Sequence, residues 1–162
     1  MPFDKTQVAR RQLGTALALF LEDYDPVSVH TLACAGGEIA EHLARKAGEQ
    51  PFTDHVLANF PDFDIKPIRR VQKQYCNPFK HATTQGGNER DDKDLLERFD
   101  DTVNEHALFV GWYDYVRAVG ALPLEAQVFT DQKKALREVI AHYRNDRELM
   151  SHPATDPTPL IL

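Results

Sequence analysis

Apolar residues recur every three or four positions along almost the whole chain, and this helical period is the feature that most restricts the fold. In the first such stretch Leu13, Ala16 and Leu17 share one face, and Asp4 stands before it as a candidate N-cap. No stretch alternates between apolar and polar residues over the length of a strand. The pattern therefore predicts an all-α fold.

Breaks in the helical period give the expected bounds of the helices. Main helices are predicted from Lys5 to the break at Asp23–Pro26, and over Pro26–Lys46, Ile65–Tyr75, Asp92–Val119 and Leu124–Leu149, with a short connecting helix over Pro51–Phe60. Short connections favour antiparallel neighbours. We expect an up-and-down bundle of four to five main helices plus the short helix, as a single domain over residues 1–150 with an irregular tail over residues 151–162.

The second predicted helix contains an unusual run of small residues. Gly36 and Gly37 would each cost about 1 kcal/mol relative to alanine in a helix interior. Close packing against another helix would offset that cost, so this helix is expected to be central. Cys34 lies in the same run and is expected to pack as a small hydrophobe. Cys34 and Cys76 are too few for a disulfide scaffold or a four-cysteine zinc site.

Composition restricts the partners of the chain. The residues are 42% hydrophobic and 27% charged, with a formal net charge of -6, which is ordinary for a globular domain. This charge argues against a broad nucleic-acid surface but leaves room for a small basic site. No apolar run approaches the roughly 20 residues that span a bilayer, and the N-terminus lacks the pattern of a secretion signal. We expect a cytoplasmic protein that makes no membrane contact.

Common catalytic and metal-binding motifs are absent from the sequence. It contains no glycine-rich phosphate loop with its lysine, no GxSxG turn and no HExxH helix. Di-iron bundles use a Glu-x-x-His spacing, whereas Glu38 and His42 are one position further apart. The sequence therefore predicts no metal site and no cofactor.

Mixed polar chemistry concentrates in Tyr75–His81, where Asn77 followed by proline marks a helix break. An ammonium group and directed hydrogen bonds from Asn77, Lys80 and His81 could hold a phosphate. Since the pKa of histidine lies near neutrality, His81 could also take a proton from a ribose 2′-hydroxyl. The alternative is that Asn77 caps backbone groups at the break while Lys80 and His81 are solvated.

Two segments carry a resemblance to known proteins. They are Leu32–Ile39, with the letters LACAGGEI, and Asn77–His81, with the letters NPFKH. Both segments resemble those of a group of bacterial helical proteins, which is in turn similar to the HEPN superfamily. Many HEPN domains are metal-independent ribonucleases or nucleotide-associated modules, and they are often dimeric. Their motif joins an arginine and a polar neighbour to a later histidine.

The resemblance implies roles for particular residues. His81 would be catalytic, Asn77, Lys80 and Lys73 would bind the phosphate of a nucleotide or RNA, and the chain would form a homodimer. Cys76 stands where the motif has arginine, and a cysteine cannot supply a guanidinium fork. Lys73 lies one turn earlier as a partial substitute. This departure favours a binding module over a nuclease, so the sequence leaves enzymatic activity undecided.

Two other hypotheses stay open. The chain could be a structural or protein-interaction bundle without catalytic activity, in which surplus apolar residues on Asp92–Val119 serve a partner. It could also be a small-molecule enzyme that uses His106 with Glu105 or Tyr113 in a bundle cavity. His106 lies on a largely apolar stripe, which is more typical of a histidine at the edge of the core.

Overall fold

The structure of the chain is a computed structural model that describes residues 3–124 and 126–127. In this part of the chain the helices are α1 (Lys5–Leu21), α2 (Pro26–Lys46), α3 (Phe52–Asn59), α4 (Ile65–Lys73), α5 (Lys93–Leu96) and α6 (Thr102–Val119). The described residues form no sheet, and their one strand-like pairing is an isolated bridge between Thr83 and Glu89. The predicted all-α bundle is confirmed.

Aspartate side chains cap the first two helices. The Asp4 carboxylate accepts a hydrogen bond from the Gln7 N–H at 2.7 Å, and the Asp25 carboxylate accepts one from the Ser28 N–H at 2.9 Å. Pro26 follows directly in the first turn of α2, where a helix has no use for its missing N–H. The caps satisfy N–H groups that lack a partner within the helix. Both helices therefore begin where the sequence predicts.

α2 is the central helix and packs against both α1 and α6. A Cβ added to Gly37 would lie 3.5 Å from the Gly111 Cα, so the backbones of α2 and α6 approach each other closely. A Cβ added to Gly36 would lie 2.8 Å from the Leu13 Cγ and 3.2 Å from the Ala9 carbonyl oxygen of α1. These contacts confirm the close packing that the glycine pair predicts.

Substituting Gly36 by alanine should lower the free energy of unfolding, because the new methyl group collides with the buried Leu13. Gly14→Ala in α1 is the matched control, since no heavy atom lies within 4 Å of the added Cβ there. Both substitutions gain the same helix propensity of about 1 kcal/mol. We expect urea denaturation to find Gly36→Ala about 1 to 3 kcal/mol less stable than Gly14→Ala. Equal stabilities would contradict the packing described for Gly36.

The prediction of one continuous helix over Asp92–Val119 is wrong, because the chain leaves helical geometry between α5 and α6. The Asp100 carboxylate accepts a hydrogen bond from the Thr102 N–H at 2.8 Å, next to the start of α6. The Phe99 ring turns inwards and lies 5.6 Å from the His30 ring. The Asp100 turn and the Phe99 ring contact thus break the helix, although the helical spacing of apolar residues continues through this segment.

Cys34 is buried as the sequence predicts, but the expectation that it packs only as a small hydrophobe is wrong. Its sulfur forms a disulfide with Cys76, and the two Cα atoms lie 5.8 Å apart. The bond joins the middle of α2 to the turn that follows α4. This covalent link holds the predicted site region against the central helix.

The last predicted helix, Leu124–Leu149, lies outside the described residues except for its first positions, and so does the predicted tail over residues 151–162. The described residues as far as Ala126 belong to one compact unit. Among α1 to α6, none combines the length and the apolar content that crossing a bilayer requires.

Candidate functional site

Residues Lys73–His81, hereafter the corner, include all the site residues that the sequence predicts. α4 ends at Lys73, two residues earlier than predicted, and the chain then turns as far as Lys80. The Asn77 carbonyl oxygen accepts hydrogen bonds from the Lys80 N–H at 3.1 Å and the His81 N–H at 3.0 Å. These bonds close the turn, so the polar residues of the corner are held in a defined backbone.

The structure brings two of the predicted phosphate ligands together on one carboxylate of α2. The Lys73 Nζ lies 3.6 Å from the Glu38 Oε1, and the Lys80 Nζ lies 3.8 Å from the Glu38 Oε2. Both distances exceed the roughly 2.7–2.9 Å of a charge-assisted hydrogen bond. Glu38 is about half exposed, so the two ion pairs are loose and accessible to solvent.

The other two predicted site residues form no hydrogen bond or ion pair with this carboxylate. Asn77 and His81 are both exposed. Neither side chain forms a hydrogen bond or ion pair with another residue in the part of the chain that the structure describes. The structure therefore places them on the corner without pairing them to the lysines, and their roles stay predictions.

Buried neighbours anchor the corner to the bundle. Tyr75 and Cys76 are each 4% exposed, and Cys76 is bonded to Cys34. The Phe79 ring lies 5.6 Å from the His30 ring of α2. The corner is therefore fixed by its buried residues, while Asn77 is exposed and Lys80 is partly exposed at its surface.

The charge around the corner differs from that of the chain as a whole. Residues 65–88 contain no Asp or Glu and five basic residues, namely Lys66, Arg69, Arg70, Lys73 and Lys80. Residues 65–88 thus carry a charge of +5. Since the whole chain carries -6, all the other residues together carry -11. The net charge hides this basic segment, which a local count along the sequence would have revealed.

A cleft of about 490 Å³, counted with the solvent space at its mouth, lies beside the corner. Both cysteines line it, together with ionisable side chains of α2, α4 and α6, namely Glu38, Glu41, Lys73, His106 and Asp114. The Glu41 Oε1 accepts hydrogen bonds from Arg45 at 2.9 Å and Arg69 at 3.2 Å. Hydrogen bonds from Arg45 to Asp54 and Glu41 raise the pKa of that guanidinium group. Opposite charges are therefore paired along this cleft.

His106 reaches this cleft as the small-molecule hypothesis requires, but its proposed partners do not. Partial burial lowers the pKa of the His106 imidazole, and the Phe52 ring lies 6.2 Å away. Glu105 and Tyr113 are not among the described residues that line the cleft. Of the three residues that this hypothesis names, His106 is thus the one found among the described residues of the cleft lining.

Asp114 places an ionisable carboxyl group in the core, at 3% exposure. It accepts a hydrogen bond from the Phe52 N–H at 2.6 Å and so caps α3, whose own N-cap residue, Pro51, provides no side-chain cap. Burial raises the pKa of Asp114 to about 6, because the bond from Phe52 offsets only part of the lost solvation. The ionised form of this group therefore weakens the fold.

His30 is a second buried polar residue, and Asn104 of α6 fixes its orientation. The Asn104 amide nitrogen donates to the Pro26 carbonyl oxygen at 3.0 Å and to Asp101 at 2.9 Å, which leaves the Asn104 Oδ1 as an acceptor. The His30 Nδ1 lies 2.9 Å from that oxygen, so Nδ1 carries the proton. Burial lowers the pKa of the imidazole and keeps it neutral. The Nε2 is buried without a hydrogen-bond partner among the described residues.

Several residues that shape this region were not predicted from the sequence. Asp114 and Asn104 stand within the apolar pattern of α6, and a polar residue at a core position is an informative signal. His30 shares that signal on α2. The disulfide had a weaker signal, because two cysteines alone do not indicate whether they meet.

Comparisons of the chain with protein-family models, with curated proteins and with solved structures found no match. A function for the chain is therefore inferred from its own residues.

Proposed function

We propose that the corner binds the phosphate of a nucleotide or of single-stranded RNA, with Lys73 and Lys80 as the charged ligands and with Asn77 and His81 as neighbouring hydrogen-bonding groups. The observation that carries this proposal is the convergence of two ammonium groups on the Glu38 carboxylate. The carboxylate occupies the place that a phosphate would take between the two lysines. Exposed ion pairs stabilise a protein by about 1 kcal/mol or less, so an incoming phosphate can displace the Glu38 carboxylate from the two lysines.

The basic segment around the corner supports an anionic ligand. Lys66 and Arg70 of α4 are exposed and form no ion pair with a described residue. With Lys73 and Lys80 they give the segment enough positive charge to attract a polyanion, although the chain as a whole is acidic. The repulsion expected from the remaining acidic surface would confine binding to this segment.

Exposed aromatic rings next to α4 favour a single strand over a duplex. Phe60 and Phe63 are each 55% exposed, and their rings stack 5.3 Å apart just before α4 begins. Proteins that bind single strands combine such rings, on which bases stack, with a basic groove that follows the phosphates. The order of rings and basic residues along residues 60–80 fits this combination.

Nuclease activity, which the sequence leaves undecided, has weaker support than binding. Cys76 stands where the HEPN motif has arginine, and it is buried in a disulfide, so it cannot contact a phosphate. We therefore assign His81 a hydrogen-bonding role first. A catalytic role as base for a 2′-hydroxyl would require that RNA be cleaved by the wild type and not by His81→Ala.

The proposal is tested by titrating a fluorescein-labelled single-stranded RNA with the protein and following fluorescence anisotropy. We expect Lys73→Gln/Lys80→Gln to weaken binding about tenfold or more, and to reduce the slope of log K against log salt by about 1 to 1.5, because two phosphate contacts are lost. Lys5→Gln/Lys46→Gln is the matched control, since it makes the same charge change at exposed positions of α1 and α2. Equal losses in the two double variants, or no binding by the wild type, would contradict the proposed site.

A protein-interaction role is the second candidate, and an apolar groove favours it. The groove runs along α3 and α4 beside Phe63, Ile68 and Val71, with about 920 Å³ of space including solvent. Val71 is 60% exposed and Phe63 is 55% exposed, and exposed apolar residues that lie together often mark interaction sites. The predicted homodimer would bury such a face. Sedimentation of the wild type and of Val71→Glu distinguishes this role, because only a dimer through this groove would dissociate in the variant.

A further inference from the structure

Three potential metal ligands meet behind the corner, in a place that phosphate binding does not use. A ring nitrogen of His30 and the sulfur atoms of Cys34 and Cys76 all lie within 4.8 Å of one another, and all three residues are buried. His30 and Cys34 are four positions apart on α2, so they face the same way, and Cys76 approaches from the corner. Imidazole and thiolate are the ligands that zinc prefers in proteins.

The hydrogen bond of His30 leaves one ring nitrogen available as a metal ligand. Asn104 accepts the hydrogen bond from Nδ1, so the lone pair of the imidazole lies on Nε2. The Nε2 is buried in a residue that is only 1% exposed, and it has no hydrogen-bond partner among the described residues. Leaving a buried polar atom without a partner lowers the stability of the fold. Metal-binding histidines usually donate their other ring nitrogen to such a partner, which fixes the tautomer.

We propose that the dithiol form of the chain binds a zinc-class divalent cation through the His30 Nε2 and the thiolates of Cys34 and Cys76. The Cα atoms of the two cysteines are 5.8 Å apart, and two thiolates on one zinc ion need sulfur atoms only about 3.8 Å apart. Both cysteines line the cleft, so water can complete the coordination from that side. Three protein ligands with one position left for water are the arrangement that catalytic zinc sites use, whereas structural sites have four protein ligands.

The disulfide and the metal site exclude each other, because the same two sulfur atoms serve both. A trialkylphosphine and one water molecule convert the disulfide into two thiols and a phosphine oxide. Binding of the cation then releases the two thiol protons to solvent. In reoxidation by a disulfide-containing oxidant, the two thiolates pass two electrons to the disulfide of the oxidant, which is cleaved and leaves as two thiols after taking up two protons from solvent. The Cys34–Cys76 bond forms again and the cation is released. The site therefore couples metal occupancy to the redox state of the chain.

Cobalt(II) tests the proposal, because thiolate coordination gives it a charge-transfer band in the near ultraviolet and tetrahedral geometry gives it strong visible bands. A tag-free, full-length chain is reduced with a phosphine, freed of reagent without oxygen and titrated with cobalt chloride. We expect the bands to saturate at one equivalent and to disappear when zinc is added. The oxidised wild type is the control of identical sequence and should show neither band. Absence of the thiolate band in the reduced wild type would overturn the proposal.

Histidine variants test the third ligand. His30→Gln should weaken cobalt binding by at least about 10- to 100-fold, because the loss of a group that only supports a ligand already costs that much. His42→Gln makes the same change at an exposed position of α2 and should bind like the wild type. Equal affinities of the two variants would contradict a role for His30.

A second readout keeps the test decisive if circular dichroism shows that His30→Gln does not fold. Zinc should then slow alkylation of both cysteines in the reduced wild type by about tenfold or more, because the thiolates are the metal ligands. Unchanged alkylation rates would overturn the proposal. None of these measurements depends on Lys73 or Lys80, so the metal site and the phosphate site can fail separately.

Discussion

Reduction of the Cys34–Cys76 disulfide is expected to lower the free energy of unfolding by about 4 kcal/mol. The two cysteines are 42 positions apart, so the bond closes a long loop and restricts the unfolded chain strongly. Few single changes in this chain should have a larger effect, since the total stability of a domain is only about 5 to 15 kcal/mol.

Urea denaturation with and without a phosphine measures this loss, in the presence of a chelator so that no bound metal compensates for it. The Cys34→Ser/Cys76→Ser variant is the control, because it should have the stability of the reduced wild type and should not respond to the phosphine. A loss below about 1 kcal/mol in the wild type would mean that the disulfide does not constrain the unfolded chain as described.

Replacement of Asp114 by asparagine is expected to stabilise the protein at neutral pH. The folded-state pKa of Asp114 is raised to about 6 by burial, whereas the ordinary value is 3.8. The folded state therefore binds the proton more tightly than the unfolded state does. The stability from this group is fully present below pH 3.8 and is lost as the pH rises through about 6. Asparagine keeps an oxygen that can accept from the Phe52 N–H and carries no charge to bury.

The difference in unfolding free energy between Asp114→Asn and the wild type should grow by about 2 kcal/mol from about pH 4 to about pH 7. Urea denaturation at several pH values measures it. Asp100→Asn is the control, because a hydrogen bond from Thr102 lowers the pKa of Asp100 below 3.8, so its contribution is lost mainly below this pH range and the difference should change little within it. A pH-independent difference for Asp114→Asn would show that this carboxyl group titrates normally.

The sequence is sufficient to predict those features of the helices that depend on neighbouring residues in the chain. Asp4 and Asp25 begin α1 and α2 because a carboxylate cap acts within three residues. Gly36 and Gly37 predict close helix packing because their cost needs a compensating contact. The break between α5 and α6 escaped prediction, since the Asp100 turn competes with a continuous apolar stripe and only the inward position of Phe99 decides between them.

The candidate site is less predictable, because its contacts join residues far apart in the chain. Periodicity places Lys73 and Lys80 on one segment, but nothing local indicates that Glu38 of α2 lies between them. The pairing of Cys34 with Cys76, and of His30 with Asn104, likewise depends on how α2, α6 and the corner pack. A polar or ionisable residue in an apolar stretch therefore indicates a buried contact with a distant part of the chain, but the sequence does not identify the partner residue.

In the proposed site, the Glu38 carboxylate competes with a phosphate for Lys73 and Lys80. The most direct measurement is the affinity of Glu38→Gln for single-stranded RNA, compared with Glu22→Gln, which makes the same charge change at an exposed position after α1. We predict that Glu38→Gln binds about fivefold more tightly than Glu22→Gln, because the competing ion pair of about 1 kcal/mol is gone. Equal or weaker binding by Glu38→Gln would contradict the claim.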